Sequence, residues 1–303
     1  GCASLLQALQ EPRRAGEPPR IPCLSMKDRP QNSYRSLMID VARKPHTIPV
    51  LQDVIRLAHL YKLRYVHLHL TDDQLFTFPF DPVVEELEGN VHFSRAELSG
   101  LVDYASARGV VLIPEIDLPG HSRRLIESGY LDRAEDHADV AAPRNFEKVH
   151  ALLDEVMEVF HTSPYLHIGG DESGAGKALL PFLASVQNHV RSRDKRLIVW
   201  EGFHGAPTDV LPATGEDRVI VAAWESSYNP PWNLLAAGYE VINASWKPLY
   251  VVGGGAAGIH PGSSGGRRWT PTEMADWRLD RFQHWEPHRP VFEDQGSRRR
   301  RPR

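Results

Sequence analysis

Residues 61–74 read YKLRYVHLHLTDDQ, and their context decides the fold. Tyr65–Leu70 (YVHLHL) is a short apolar run carrying two imidazoles, and Thr71, Asp72 and Asp73 end it. Just upstream, Val50, Leu51, Val54, Ile55, Leu57, Ala58 and Leu60 recur at helical spacing over Val50–Tyr61. Downstream, Ser94 reads as an N-cap with Glu97 at the capping-box position, opening a helix that closes at Gly109. The next apolar run, Val110–Ile113 (VVLI), follows at once. The chain is therefore read as helix, strand, helix, strand, and the pattern continues outward. Further runs are Ser36–Val41, Tyr165–Ile168, Leu197–Trp200, Val219–Ala222 and Glu240–Asn243, with a third helix over Phe146–Phe160.

Strands alternating with helices at this spacing imply a parallel sheet. The fold class is thus α/β, and the architecture expected is a (β/α)8 TIM barrel. Such a barrel needs eight strands in roughly 250 residues. Seven are evident, so the barrel is expected to be incomplete, its eighth strand missing or unrecognisable; an open doubly wound sheet is the alternative. The last helix-like segment is Thr272–Phe282. Beyond it, Glu286 to Arg303 is rich in Pro and Arg, and the run Arg298–Arg303 reads as a disordered basic end rather than an acidic-surface patch. At the other end, Ser4–Gln10 is a short amphipathic helix and Glu11–Pro22 a linker by composition. One short helix cannot bury itself, so residues 1–33 are expected to be the remnant of a preceding domain plus linker. Residues 34–285 would then be the barrel and 286–303 a disordered tail.

Composition narrows the function classes. A net charge of −4 over 303 residues gives no electrostatic case for nucleic acid. No apolar run approaches the ~20 residues of a membrane span. No secretory leader is visible at the start, and the compartment stays unassigned. Cys2 and Cys23 allow one disulfide at most and are too few for a metal cluster.

In a barrel of this kind, chemistry sits at strand C-terminal ends. Here those ends carry Asp40 and Arg43; His69, Asp72 and Asp73; Glu115, Asp117 and His121; His167, Asp171 and Glu172; Trp200 and Glu201; Trp224 and Glu225; and Asn243, Trp246 and Tyr250. The sharpest motif is HIGGDE, residues 167–172. Side chains alternate along a strand, so adjacent Asp and Glu would face apart. Two preceding glycines permit backbone angles that turn both carboxyls into one pocket. Adjacent carboxyls also suit a division of labour, one ionised and one protonated. The competing reading is a Gly-rich turn with solvated acids. Tryptophans at late strand ends are the second signal, since aromatic faces stack on the apolar face of a pyranose; ordinary core Trp is the alternative. His67 and His69 form an H-x-H pair at metal-ligand spacing, which keeps a metal-dependent barrel hydrolase open as a further reading.

At these motifs the sequence resembles the family 20 glycoside hydrolases, the β-N-acetylhexosaminidases. The matching segments are residues 34–46, 61–74, 109–122, 167–173, 199–203 and 238–255, in the family's order. By that resemblance Glu172 is the general acid/base, and Asp171 the carboxylate that orients and stabilises the acetamido group. Arg43 grips the sugar hydroxyls, and Asp72 and His121 form the buried pair that supports Glu172. Trp200 and Trp224 wall the acetamide pocket, Trp246 is a further wall, and Tyr250 hydrogen-bonds the acetamide oxygen. The resemblance implies retaining hydrolysis with the substrate's own acetamide as nucleophile, and neither metal nor organic cofactor. The implied partners are oligosaccharides or glycoconjugates ending in N-acetylglucosamine or N-acetylgalactosamine. Against the family's pattern, this sequence is expected to lack most of the small N-terminal α/β domain and the last strand, which brings a Trp and a Glu to the terminal sugar. A sugar-binding barrel without turnover is therefore the alternative function.

Overall fold

A computed structural model of the chain describes residues 2–9, 23–202, 211, 215, 218–225, 228–251, 270–283 and 291–293. They divide into two compact units, Gly1–Asp117 with His121–His167, and Leu118–Gly120 with Ile168–Arg303.

The first unit opens with helix α1 (Cys2–Ala8), which Gln7 ties to the body by donating to the Leu60 carbonyl, 2.8 Å. Strand β1 (Ser36–Asp40) leads to α2 (Ile48–Leu60), then β2 (Tyr65–His69), α3 (Arg95–Ser106), β3 (Val111–Leu118) and α4 (Pro143–Val159). The expected capping box is present: Ser94 accepts from the Glu97 amide, and the Glu97 carboxylate accepts from the Ser94 amide. Helix α2 buries Leu51, Ile55 and Ala58; α3 buries Leu98, Leu101, Val102 and Ala105. These stripes explain why α2 packs on α3 and α3 on α4.

β1, β2 and β3 pair in parallel, with Asp40 opposite His69 and His69 opposite Glu115. Strand β4 (Tyr165–Gly169) is next to β3 in the sheet order. Along β2 the alternation separates two faces. Val66 and Leu68 are buried apolar residues on one face, and Tyr65, His67 and His69 line the other. This second face carries a layer of tyrosines at the start of the strands: Tyr65 stacks on Tyr34 at 5.0 Å and meets Tyr165 edge-on at 5.5 Å.

In the second unit, the end of β4 runs into a turn and then α5 (Leu179–Arg191), which buries Phe182, Leu183, Val186 and Val190. Strands β5 (Arg196–Trp200) and β6 (Ile220–Ala223) follow, then α6 (Pro231–Ala237) and β7 (Glu240–Asn243). β5, β6 and β7 pair in parallel in that order. Their entry ends are tied by charge: Arg196 Nη2 lies 2.8 Å from Glu240 Oε2 and Arg218 Nε 2.9 Å from Glu240 Oε1.

All seven strands read from the sequence are present. Two expectations near the end are corrected. The segment Thr272–Phe282 is not one helix: the helix is Pro271–Ala275, and Arg281–Gln283 is a strand. That strand pairs antiparallel with Val291–Glu293, inside the segment expected to be a disordered tail. Three-residue strands are too short for an alternation to register, and Pro and Arg dominate the composition around them. The Arg298–Arg303 run and the whole Glu11–Pro22 linker lie outside the described residues. Cys2 and Cys23 are both exposed, free thiols. No helix among the described residues is long and apolar enough to cross a membrane.

Candidate active site

The first unit gathers Arg43, Asp72 and His121. Asp40 ends β1 and closes the turn after it: its Oδ1 accepts from the amides of Ala42 (3.1 Å) and Arg43 (2.8 Å), which fixes where Arg43 starts. The guanidinium then spans two carboxylates, Nη1 donating to Asp40 Oδ2 at 2.8 Å and Nη2 lying 2.6 Å from Asp72 Oδ2. Asp72 is 1% exposed and the Arg43 side chain 45%. The arginine thus presents polar surface outward from a buried anchor. His121 Nδ1 approaches the other Asp72 oxygen at 3.4 Å, and the Asp73 amide donates to it at 2.6 Å. His121 was expected to be buried with Asp72; its side chain is instead 18% exposed, on a backbone with φ +44°. Burial favours the neutral carboxyl of Asp72, but His121, His69 and Arg43 outweigh it and hold Asp72 below the usual carboxylate range.

Below Asp72 lies a buried polar layer. His69 Nε2 is 3.0 Å from Asp72 Oδ2, and His69 Nδ1 is 2.9 Å from Glu115 Oε2. His67 Nε2 also lies 2.9 Å from Glu115 Oε2, and His167 Nδ1 lies 3.3 Å from Glu115 Oε1. The donor atoms of His67, Glu115 and His167 fall within 4.8 Å of one another, a spacing a metal ion also uses. Here the nitrogens face a carboxylate at hydrogen-bond distance, so the H-x-H pair is accounted for as the lining of a buried anion. Burial favours the neutral carboxyl, but the neighbouring imidazoles, His69 foremost, outweigh it and keep Glu115 well below the ordinary range. Burial pushes His167 down to about 3, which leaves it neutral. Burial and the Glu115 charge push Asp117 up to about 7, and among the described residues its Oδ1 has no hydrogen-bond partner.

The second unit holds the other expected residues. The turn after β4 runs through positive φ at Gly169 (+74°), Gly170 (+101°) and Glu172 (+44°). Glycine reaches this region without strain; for Glu172 it is a sparsely populated conformation. The turn leaves Asp171 buried, 7% exposed, and Glu172 exposed. Two further glycines admit it. A Cβ on Gly202 (φ +143°) would stand 2.9 Å from Asp171 Cβ, and one on Gly120 would stand 2.9 Å from the Asp171 carbonyl oxygen.

Aromatic rings assemble at the ends of β6 and β7. Trp246 and Tyr250 stack at 4.4 Å and 21°, and Trp224 lies 6.0 Å from Trp246 and 6.3 Å from Tyr250. Trp224 Nε1 donates to the Glu201 carbonyl at 3.2 Å. Asn243 organises this loop with its whole amide: Nδ2 donates to the carbonyls of Leu279 (2.9 Å) and Arg281 (2.7 Å), and Oδ1 accepts from the amide and hydroxyl of Ser245. Trp200 ends β5 and is 8% exposed.

Residues 32–178 match the catalytic domain of glycosyl hydrolase family 20. The chain is 30% identical over 269 residues to a β-N-acetylhexosaminidase of Cellulomonas fimi, covering 76% of this chain and 51% of that protein. Residues 32–178 belong to glycosyl hydrolase family 20. A β-hexosaminidase of Vibrio furnissii is 28% identical over 300 residues, covering 79% of this chain and 47% of that one. The chain thus spans about half the length of the curated relatives it matches. Among solved structures, a family 20 exo-β-N-acetylglucosaminidase of Vibrio harveyi in complex with N-acetylglucosamine superposes with a TM-score of 0.65 at 27% identity. It covers 79% of this chain and 45% of the other. Dispersin B, at 20% identity and a TM-score of 0.66, covers 88% and 89% and shares the fold. The seven parallel strands among the described residues are those of an incomplete (β/α)8 barrel.

Arg43, Asp72, His121, Asp171 and Glu172 lie inside the segment that matches family 20; Trp200, Trp224, Trp246 and Tyr250 lie beyond it. Sequence reasoning put Glu115 at a strand end but missed it as the hub of three imidazoles, and missed Gly120 and Gly202 as the glycines against Asp171. One signal was available. His67 and His69, like Glu115 and Asp117, are two residues apart, so each pair shares a strand face.

Proposed function

We propose that this chain hydrolyses terminal non-reducing β-linked N-acetylhexosamine residues with retention, the substrate's acetamide acting as nucleophile. The observation that carries this is the turn at residues 169–172. A buried Asp171 and an exposed Glu172 stand side by side on a backbone of positive φ, within a segment that matches family 20. The unlike surroundings of the two acids suit unlike roles.

In this reading Glu172, protonated, donates to the glycosidic oxygen as the bond to carbon 1 breaks. The acetamide oxygen attacks carbon 1 and forms an oxazolinium-like ring. Asp171, ionised, complements its positive charge and holds the nitrogen. Glu172 then takes a proton from the incoming water, which opens the ring with net retention. Arg43, exposed and anchored on Asp40 and Asp72, is suited to sugar hydroxyls, with Asp72 and His121 as supporting groups. Trp200, Trp224, Trp246 and Tyr250 supply aromatic walls for the acetamide and the ring. Substrates are oligosaccharides or glycoconjugates ending in N-acetylglucosamine or N-acetylgalactosamine. The relatives' names and the N-acetylglucosamine bound to the Vibrio harveyi enzyme support that class.

The test compares aryl 2-acetamido-2-deoxy-β-glucoside with plain aryl β-glucoside. Removing the acetamide deletes the attacking atom, whose effective molarity reaches ~10⁵ M in well-oriented cases. Cleavage of the first and not the second, by several orders of magnitude, is expected. Glu172→Gln should lose ~10²–10⁴-fold on substrates with poor leaving groups and much less on activated aryl glycosides. Comparable rates on the two glycosides would overturn the mechanism. Tight binding of a cyclic thiazoline, a stable mimic of the oxazolinium ring, with no turnover would favour the sugar-binding barrel instead.

A further inference from the structure

We propose that His69 is a positioning residue of this site: clamped as an imidazolium between Glu115 and Asp72, it fixes the charge and orientation of Asp72 and, through Asp72, of Arg43 and His121. Its catalytic consequence rests on the function proposed above.

His69 Nδ1 is 2.9 Å from Glu115 Oε2 and Nε2 is 3.0 Å from Asp72 Oδ2. A neutral imidazole has one N–H and one lone pair. In either tautomer one nitrogen would turn its lone pair on a carboxylate oxygen. Only the cation donates at both ends. His69, Glu115 and Asp72 are 2%, 0% and 1% exposed, so water is a poor substitute for either bond. Burial alone would strip the proton from His69; the two carboxylates outweigh it and raise its pKa well above the ordinary histidine value.

The imidazolium completes a line of alternating charge: Asp40 (−), Arg43 (+), Asp72 (−), His69 (+), Glu115 (−), linked at 2.8, 2.6, 3.0 and 2.9 Å. Each ion is flanked by the opposite sign, the arrangement a buried ionic network needs to offset desolvation. Without the cation at His69, two buried anions face each other across the vacated place. The other titratable groups around this line are His67, Asp73, Asp117, His121 and His167. His67 and His167 face Glu115, and His121 faces Asp72. Asp73 binds Asp72 through its amide. His167 is neutral, and Asp117 is a carboxyl that holds its proton up to about pH 7 and is never positive, so neither replaces His69 as the cation between the two carboxylates.

A purely structural histidine would give another result, because loss of packing does not move a titration. Histidine-labelled protein examined by nitrogen NMR from pH 5 to 8 should show both ring nitrogens of His69 protonated throughout; a neutral tautomer at pH 7 overturns the proposal. In His69→Gln the amide can donate to Asp72 but turns its carbonyl on Glu115 or the reverse. The acid limb of the pH profile of kcat/KM should therefore move up by about one unit, roughly a fivefold loss at its old midpoint that approaches tenfold below it, with kcat falling more than KM rises. The double variant His69→Gln with Glu115→Gln restores donor–acceptor matching, and should bring the limb part of the way back and melt above the single variant. A folded His69→Gln enzyme with an unmoved acid limb overturns the proposal. Should the single variant fail to fold, the wild-type NMR and the double variant decide. The NMR reading needs no turnover: an inactive protein with a doubly protonated His69 supports the charge line and sinks the hexosaminidase reading, and an active enzyme with a neutral His69 sinks the charge line alone.

Discussion

The two compact units hold their site residues by different means. In the first, Arg43, Asp72 and His121 are placed by charge: ionic contacts of 2.6–3.4 Å pass from the exposed Arg43 down to Glu115. In the second, Asp171 and Glu172 are placed by backbone, on a turn of positive φ against glycines that lack a Cβ. The aromatic loop is placed by ring stacking and by the four hydrogen bonds of Asn243. The lesson is about sensitivity. A charge-placed site should respond to pH and to charge-removing substitutions. A backbone-placed site should respond to added atoms while staying indifferent to pH.

The sharpest test of that contrast is Gly202→Ala. At φ +143° an L side chain is strained, and the new methyl would stand 2.9 Å from Asp171 Cβ. Asp171 must move, so the group proposed to complement the oxazolinium is misplaced. Misplacement by ~1 Å costs on the order of 10²-fold. We expect kcat/KM to fall by about that factor at every pH, with thiazoline affinity falling in parallel. A loss confined to one limb of the pH profile would show that the second unit is charge-placed after all.

How much of this was legible beforehand follows from the range of each signal. The strands were readable because alternation and apolar runs are local: β2 and β4 were bounded to within a residue or two. Helix α3 was readable because Ser94 and Glu97 announce its start. The HIGGDE turn was readable because its glycines sit beside the acids they turn. Glu115 as the hub of three imidazoles was not, since it depends on His69 of β2 standing opposite Glu115 of β3 and on His167 arriving from β4. Register between strands is not written within either one. Gly202 against Asp171 was missed for the same reason, as the contact joins positions 31 residues apart, the difference of their two numbers. The pairing of Arg281–Gln283 with Val291–Glu293 had no periodic signature at all.

The charge-placed unit is tested through Asp117. Its carboxyl is raised from 3.8 to about 7, by burial first and then by Glu115. The sign follows from proton counting. Between about pH 4 and pH 7 the folded chain keeps a proton that the unfolded chain has released, so this group makes stability fall as pH rises through that window and level off above it. Asp117→Asn removes the titration. The variant should be more stable than the parent at pH 8, by on the order of 2 kcal/mol, with the advantage vanishing toward pH 4. Denaturant melts at the two pH values measure it. An equal difference at both would mean that Asp117 is ionised in the fold throughout, which would remove the contrast between the units from the first side.

The smallest effect expected concerns the aromatic loop. Trp246 stacks on Tyr250 at 4.4 Å and lies 6.0 Å from Trp224, so its ring is one corner of an aromatic triad. Trp246→Leu keeps an apolar side chain there but removes the π-face. Aromatic pairs contribute about 0.5–1.5 kcal/mol beyond their buried area, which corresponds to a factor of two to ten in an equilibrium constant. If the ring is a sugar-facing wall, that factor should appear in KM for the N-acetylhexosaminide and leave kcat nearly unchanged, because a wall holds substrate and transition state alike. If the ring serves the loop, the loss should appear in stability, and the variant should melt lower with an unaltered KM. Asn243→Ala separates the two further. It deletes the bonds to Leu279, Arg281 and Ser245 while leaving every ring in place, so a KM effect matching that of Trp246→Leu would assign the aromatic contribution to loop geometry and not to stacking on sugar.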